Sequence, residues 1–163
     1  MPAFHAILAS SWLYRCTRYA LAAVFLAAGT LKAAAPESMA SVIAGFGIAP
    51  APAIPALSLL LPLLEIIAAV GLAWDVEGAL AVLTALLATY LGVVWYGIIT
   101  ELGIDCGCFG PGVPGLDSLR AAFLRNVALL GAAGYLYWVR YVRPDIRLRG
   151  LFGGIRRDAA GDM

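Results

Sequence analysis

Four long apolar runs dominate the chain, at residues 19–35, 57–74, 78–100 and 121–141, with short polar interruptions between them. Each is close to the roughly 20 residues that a helix needs to cross a bilayer. The runs lack the period-two alternation of membrane β-strands. A buried parallel sheet does not supply four runs of this length with so little polar sequence between them. The pattern predicts an all-α, integral membrane four-helix bundle. An arm of residues 1–18 precedes a transmembrane domain at 19–142, and a basic tail follows at 143–163.

The first run follows Arg15 and Arg18 and ends in Ala33-Ala34-Ala35, which resembles the layout of a secretion signal. Lys32 stands where a cleavage motif is uncharged, so the helix is expected to be retained. Between the first and second runs, Pro36 and Glu37 suit a helix's first turn, and Met39, Val42, Ile43 and Phe46 repeat at helical spacing. A short interfacial helix is expected there, ended by Gly45 and Gly47. The proline-rich stretch 50–55 is expected to be extended.

Composition supports a lipid environment. Hydrophobic residues make up 63% of the 163 and charged residues 13%, against about 45–50% and about 25% in soluble domains. The net charge of +1 gives no basis for nucleic-acid binding. Of the 11 Lys and Arg residues, Arg15, Arg18, Arg140, Arg143, Arg147, Arg149, Arg156 and Arg157 flank the outermost runs. The positive-inside rule then places both termini in the cytoplasm (N-in, C-in) and makes the inner membrane the location. The acidic turn Asp75-Val76-Glu77 carries little weight under that rule. Trp12, Tyr14, Tyr19, Trp74, Trp138 and Tyr141 are expected as one interfacial belt, with Trp95 and Tyr96 nearer the other.

Candidate chemistry lies in the connection between the third and fourth runs, in Asp105-Cys106-Gly107-Cys108-Phe109-Gly110. In the deduced orientation it faces the oxidising, extracytoplasmic side, where the two thiols are expected to meet. A bridge across one residue encloses almost no loop, so it adds little stability, and its ring is cramped. Such a bridge is readily opened, which favours exchange over stapling. Two other readings remain: a passive pair, and binding of copper(I), mercury or zinc by two thiolates. The sole histidine, His5, falls on the opposite side, so a four-ligand site would need Asp105 or another chain. Asp105 is either a base for a thiol or an ordinary loop residue. Cys16, at the other end of the first run, is expected to be a buried small hydrophobe.

Glu65 lies near the middle of the second run, where an ionisable group costs several kcal/mol unless it is paired, protonated or hydrated. Lys32, Arg125 and Asn126 are the available partners. A polar cluster beneath the cysteine loop is expected, handling protons or holding helices together. Lys32 and Arg125 also lie close enough to run ends to snorkel to the interface.

The series Ala28-Gly29-Thr30-Leu31-Lys32 with Pro36, Leu61-Pro62-Leu63-Leu64-Glu65, Asp105-Cys106-Gly107-Cys108-Phe109-Gly110 and Leu124-Arg125-Asn126 resembles the methylamine-utilisation MauE group of DoxX-like membrane proteins. The resemblance spans about residues 15–142. It implies a four-helix membrane protein linked to maturation or disulfide formation in exported partners, often with a thioredoxin-like protein. DoxX-type relatives are linked to quinol oxidation or to membrane oxidoreductase assemblies.

The expected function is thiol–disulfide exchange by Cys106 and Cys108 with an exported redox protein, with Asp105 and Glu65 as supporting catalytic candidates. No cofactor motif is legible. A membrane quinone near Trp95, Tyr96 and Phe109 is the one cofactor the chemistry suggests. The alternatives are a non-enzymatic helical subunit of a larger respiratory or oxidoreductase membrane complex, and soft-metal binding or transport.

Overall fold

The computed structural model describes residues 11–101 and 119–142, and every regular element among them is helical. Helix α1 spans Ser11–Ala34, α2 Pro36–Phe46, α3 Ile54–Ala73, α4 Ala79–Ile99 and α5 Leu119–Val142, with a 3-10 turn at Ala51–Ala53.

The helices follow from where the buried residues fall. In α1, Tyr14, Arg18, Leu21, Phe25, Gly29 and Lys32 recur every three or four residues and form one inward stripe. In α3 the stripe is Ser58, Pro62, Glu65, Ala68, Ala69 and Leu72. The α1 and α3 stripes face each other, α4 packs on α3 and α5, and α5 returns to α1. The main core results, with Leu21, Phe25, Leu72, Leu83, Leu87 and Leu136 in it, and a smaller cluster of Val94 and Ala122 joins α4 to α5.

Helix α2 begins and ends as its sequence predicts. Pro36 sits in its first turn, and Gly47 closes it in the left-handed conformation (φ 65°), donating its N–H to the Ala44 carbonyl. Glycine adopts that conformation without the Cβ clash of other residues. The apolar face of α2 is turned towards α3 and the end of α4. Phe46 is buried, and its ring lies against Gly97 of α4.

The prolines of 50–55 behave differently from expectation. Only Pro50 is extended (ψ 139°), and helical structure resumes at once. Pro52 and Pro55 fall within the first two positions of their helical segments, where the missing N–H costs nothing and the fixed φ already fits.

Two stretches, Ala51–Ala73 and Ala79–Ile99, are each long and apolar enough to cross a membrane. Helices α1 and α2, bent by 97° at Ala35, meet the same standard only as a pair, giving two to three candidate spans. Of the two clear spans, only 33% and 28% of the apolar windows are buried within the protein. Leu59, Leu60, Leu63, Leu64, Ile67 and Ile99 are exposed instead. In water that surface would be a liability, and in a bilayer it is the lipid contact.

Trp12, Tyr19, Trp74 and Tyr141 stand exposed, as membrane anchors would. Tyr14 departs from that group, because it is 2% exposed and belongs to the core. Cys16 also departs from expectation and is exposed. It lies two residues from both Tyr14 and Arg18, which face inward. Two helical steps of about 100° carry it to the opposite side of α1.

Candidate functional site

The polar residues expected beneath the cysteine loop come together. Lys32 Nζ donates to Glu65 Oε1 at 2.6 Å, and the two side chains are only 5% and 1% exposed. Lys32 therefore does not snorkel. Its side chain points inward from α1 because a carboxylate in the core needs a counter-ion more than the ammonium needs water. The same nitrogen lies 4.6 Å from the centroid of the Tyr90 ring on α4, a cation–π contact.

Asn126 of α5 is buried, and Arg125 lies half-buried beside it. Lys32, Glu65, Tyr90, Arg125 and Asn126 all line one small cavity of about 30 Å³, the space of a water or two. Glu65 Oε2 and Asn126 Nδ2, an acceptor and a donor, have no hydrogen-bond partner within the described residues. The site thus joins four helices through buried and half-buried polar side chains. Tyr90 was not singled out from the sequence. Its signal was a phenol halfway along the third run, away from the Trp95 and Tyr96 that suit its interfacial end.

The pair exists because α1 and α3 approach closely. A Cβ built on Gly29 would stand 2.9 Å from Ile66 Cγ1, 3.1 Å from the Pro62 carbonyl oxygen and 3.2 Å from Glu65 Cβ. Backbone cannot give way as a side-chain tip can. Gly29→Val is therefore expected to push α1 from α3 and destabilise the protein by about 1–3 kcal/mol, the usual cost of overpacking. A melting temperature in detergent equal to that of the parent would contradict this.

A second charged cluster lies at the other end of the helices. Asp75, in the turn between α3 and α4, accepts from Arg18 Nη1 at 3.1 Å and from Arg140 Nη2 at 2.5 Å. Tyr14 donates its hydroxyl to Asp75 Oδ1 at 3.2 Å and accepts from Arg140 Nε at 3.0 Å. Arg18 and Arg140, counted from the sequence among the charges of the terminal side, are both tied to the buried Asp75 carboxylate. The acidic turn given little weight in the sequence is the centre of this network.

Asp75 also ends α3, at a position normally taken by glycine. Its φ is 59°. Val76 donates to the Gly71 carbonyl at 2.8 Å and Asp75 to the Leu72 carbonyl at 3.0 Å, the hydrogen-bond pair of a Schellman cap. A glycine would be easier on the backbone, but it would leave two arginines without their anion.

Asp105, Cys106, Cys108 and Phe109 lie outside the described residues, as does His5. The anchors of their segment are visible. Residues 102–118 run from the end of α4 to the start of α5. There a Cβ on Gly97 would stand 2.8 Å from Phe46 Cε1 and 3.2 Å from Leu119 Cδ1. Phe46 of α2 and Leu119 of α5 therefore both close on Gly97, near the last turn of α4.

No curated protein and no solved structure matches the chain. The family model described as methylamine utilisation protein MauE matches residues 10–139, a stretch that takes in all five helices almost entirely, the Lys32–Glu65 site and the cysteine segment. With its apolar helices and that match over most of its length, the chain is a helical membrane protein that belongs to the MauE family.

Proposed function

We propose that this MauE-family protein is a membrane thiol–disulfide exchange protein, whose Cys106–Cys108 pair oxidises a dithiol of an exported, thioredoxin-like or client protein. The observation that carries the reading is Cys106-Gly107-Cys108 inside the family match, on the segment that joins α4 to α5. The topology proposed with it has four spans, α1, α3, α4 and α5. Both termini are cytoplasmic, and residues 102–118 are extracytoplasmic at the inner membrane. Helices α1 and α5 are 24 residues each, about 36 Å at 1.5 Å per residue, so length is no obstacle. Three of their charges pair inward, Lys32 with Glu65 and Arg18 and Arg140 with Asp75.

The chemistry balances without an outside reagent at this step. A client thiolate attacks one sulfur of the Cys106–Cys108 disulfide, forming a mixed disulfide and releasing the other cysteine as thiolate. The client's second thiolate then breaks the mixed bond. The client gains a disulfide, and Cys106 and Cys108 are left as a dithiol holding its two electrons. A one-residue spacing suits this direction, since closing so small a ring stabilises the oxidised form little.

The test uses membranes from cells expressing the Cys108→Ser or Cys106→Ser variant. In either variant the remaining thiolate attacks the disulfide of an already oxidised client, the reverse of the second step, and releases one client cysteine as thiolate. With no second cysteine to carry the reversal on, a mixed disulfide with an exported protein is expected to accumulate. It should vanish on reduction and be missing from the Cys106→Ser/Cys108→Ser double variant. Equal capture by the double variant, or thiols that an impermeant alkylating reagent never reaches from outside, would sink the reading.

A further inference from the structure

The exchange leaves Cys106 and Cys108 reduced, so a second partner must remove two electrons and two protons in each cycle. The described residues hold a pocket suited to that partner. Its volume is about 210 Å³, above the roughly 150 Å³ of an engineered cavity that accepts a benzene ring. Met39 and Ile43 of α2, Leu57 and Leu61 of α3, and Val93 and Val94 of α4 make apolar walls. Lys32 is the one charged residue that lines it, with Tyr90 beside it.

Lys32 and Tyr90 also line the small cavity that Glu65 and Asn126 face. They are thus a shared wall between the apolar pocket and the ion-paired cluster. Three features define what fits. The walls demand an apolar body soluble in lipid. The ammonium, with three N–H donors and one given to Glu65, can donate to an acceptor oxygen. Glu65 already neutralises that ammonium, so a neutral acceptor is favoured over a carboxylate or phosphate, which would meet Glu65 uncompensated.

A neutral, lipid-soluble ring with a carbonyl acceptor, able to take two electrons and two protons, is a quinone. We propose that the pocket between α2, α3 and α4 binds a membrane quinone, with Lys32 donating to one carbonyl, and that this quinone reoxidises the Cys106–Cys108 dithiol. In the net step an S–S bond forms and two S–H bonds are lost, and the quinone becomes quinol by gaining both electrons and both protons. The lining residue Val94 lies three positions from Gly97 and Phe46 lines the pocket itself, which places it at the same end as the anchors of residues 102–118. Trp95 and Tyr96, expected near a quinone, instead stand exposed on α4, with Trp95 against Phe123 at 5.6 Å. The inference rests on the exchange function for its electron source and on the pocket alone for its ligand.

Full-length protein in lipid nanodiscs can be tested with a short-tailed benzoquinone and with a photoreactive azido derivative of it. Cross-links are expected on α2, α3 or α4 residues lining the pocket. Val93→Trp, which fills the space, is expected to weaken binding at least tenfold. The Cys106→Ser/Cys108→Ser variant should bind quinone as the parent does but form no quinol. Cross-links confined to other surfaces, or unchanged binding by Val93→Trp, would overturn the pocket. Val93→Trp, reoxidised by diamide in place of quinone, should still oxidise a dithiol client. That result together with lost quinone binding supports the proposal and shows that the variant is folded. Quinone binding at the pocket without client exchange by the parent would overturn the electron source and leave the ligand site standing.

Discussion

Replacing Lys32 with methionine is expected to cost about 3–5 kcal/mol of stability, because it strands the Glu65 carboxylate among apolar side chains. The magnitude follows from the site. The two groups touch at 2.6 Å, Glu65 is 1% exposed, and the other described neighbours of Glu65 leave its Oε2 without a hydrogen bond. Glu65→Leu alone is expected to do similar damage by stranding the ammonium, softened by its contact with the Tyr90 ring. The double change Lys32→Met/Glu65→Leu removes both charges and keeps the volume, so most of the loss should be recovered. Thermal unfolding in detergent of the parent, both single variants and the double would give the coupling directly. If the double variant were as unstable as the sum of the singles, the pair would not be the origin of the effect.

Loss of Asp75 is expected to be as severe. A buried guanidinium from α1 and a half-buried one from α5 share this one carboxylate, and Tyr14 is oriented by it. Asp75→Ala leaves Arg18 and Arg140 facing each other without an anion, for which about 3–5 kcal/mol is the expected cost. Alanine also meets the steric penalty of the left-handed conformation at φ 59°, roughly 1–2 kcal/mol, part of which aspartate already bears. Asp75→Gly should escape that second cost while suffering the first. Asp75→Gly is therefore expected to be the more stable of the two, though still well below the parent. Equal melting points for parent and Asp75→Gly would show that the arginines find water instead.

The apolar runs foretold the helices because a membrane leaves the backbone no alternative to internal hydrogen bonding. Helix α2 was legible down to its glycine stop, since Pro36 and Gly47 act through local dihedral preferences. Lys32, Glu65 and Asn126 could be linked from sequence because a charge within an apolar run requires a partner, and few candidates exist. The Asp75 network was not legible. Tyr14, Arg18 and Arg140 carry the composition of an interfacial belt, and only tertiary contact separates a tyrosine that faces headgroups from one that faces a carboxylate. Gly29 was noticed only as part of a motif, since no sequence pattern says which backbone will press against it. The exposure of Cys16 was hidden for a related reason. Its small apolar character suits either face of α1, and only the positions of Tyr14 and Arg18 decide which.

Val94 and Ile98 of α4 pack directly on Ala122 and Phe123 of α5. Phe46, a side chain from a helix elsewhere in the chain, closes on Gly97 together with Leu119 at the same seam. A substitution on α2 can therefore disturb the seam between α4 and α5 without altering either of those helices.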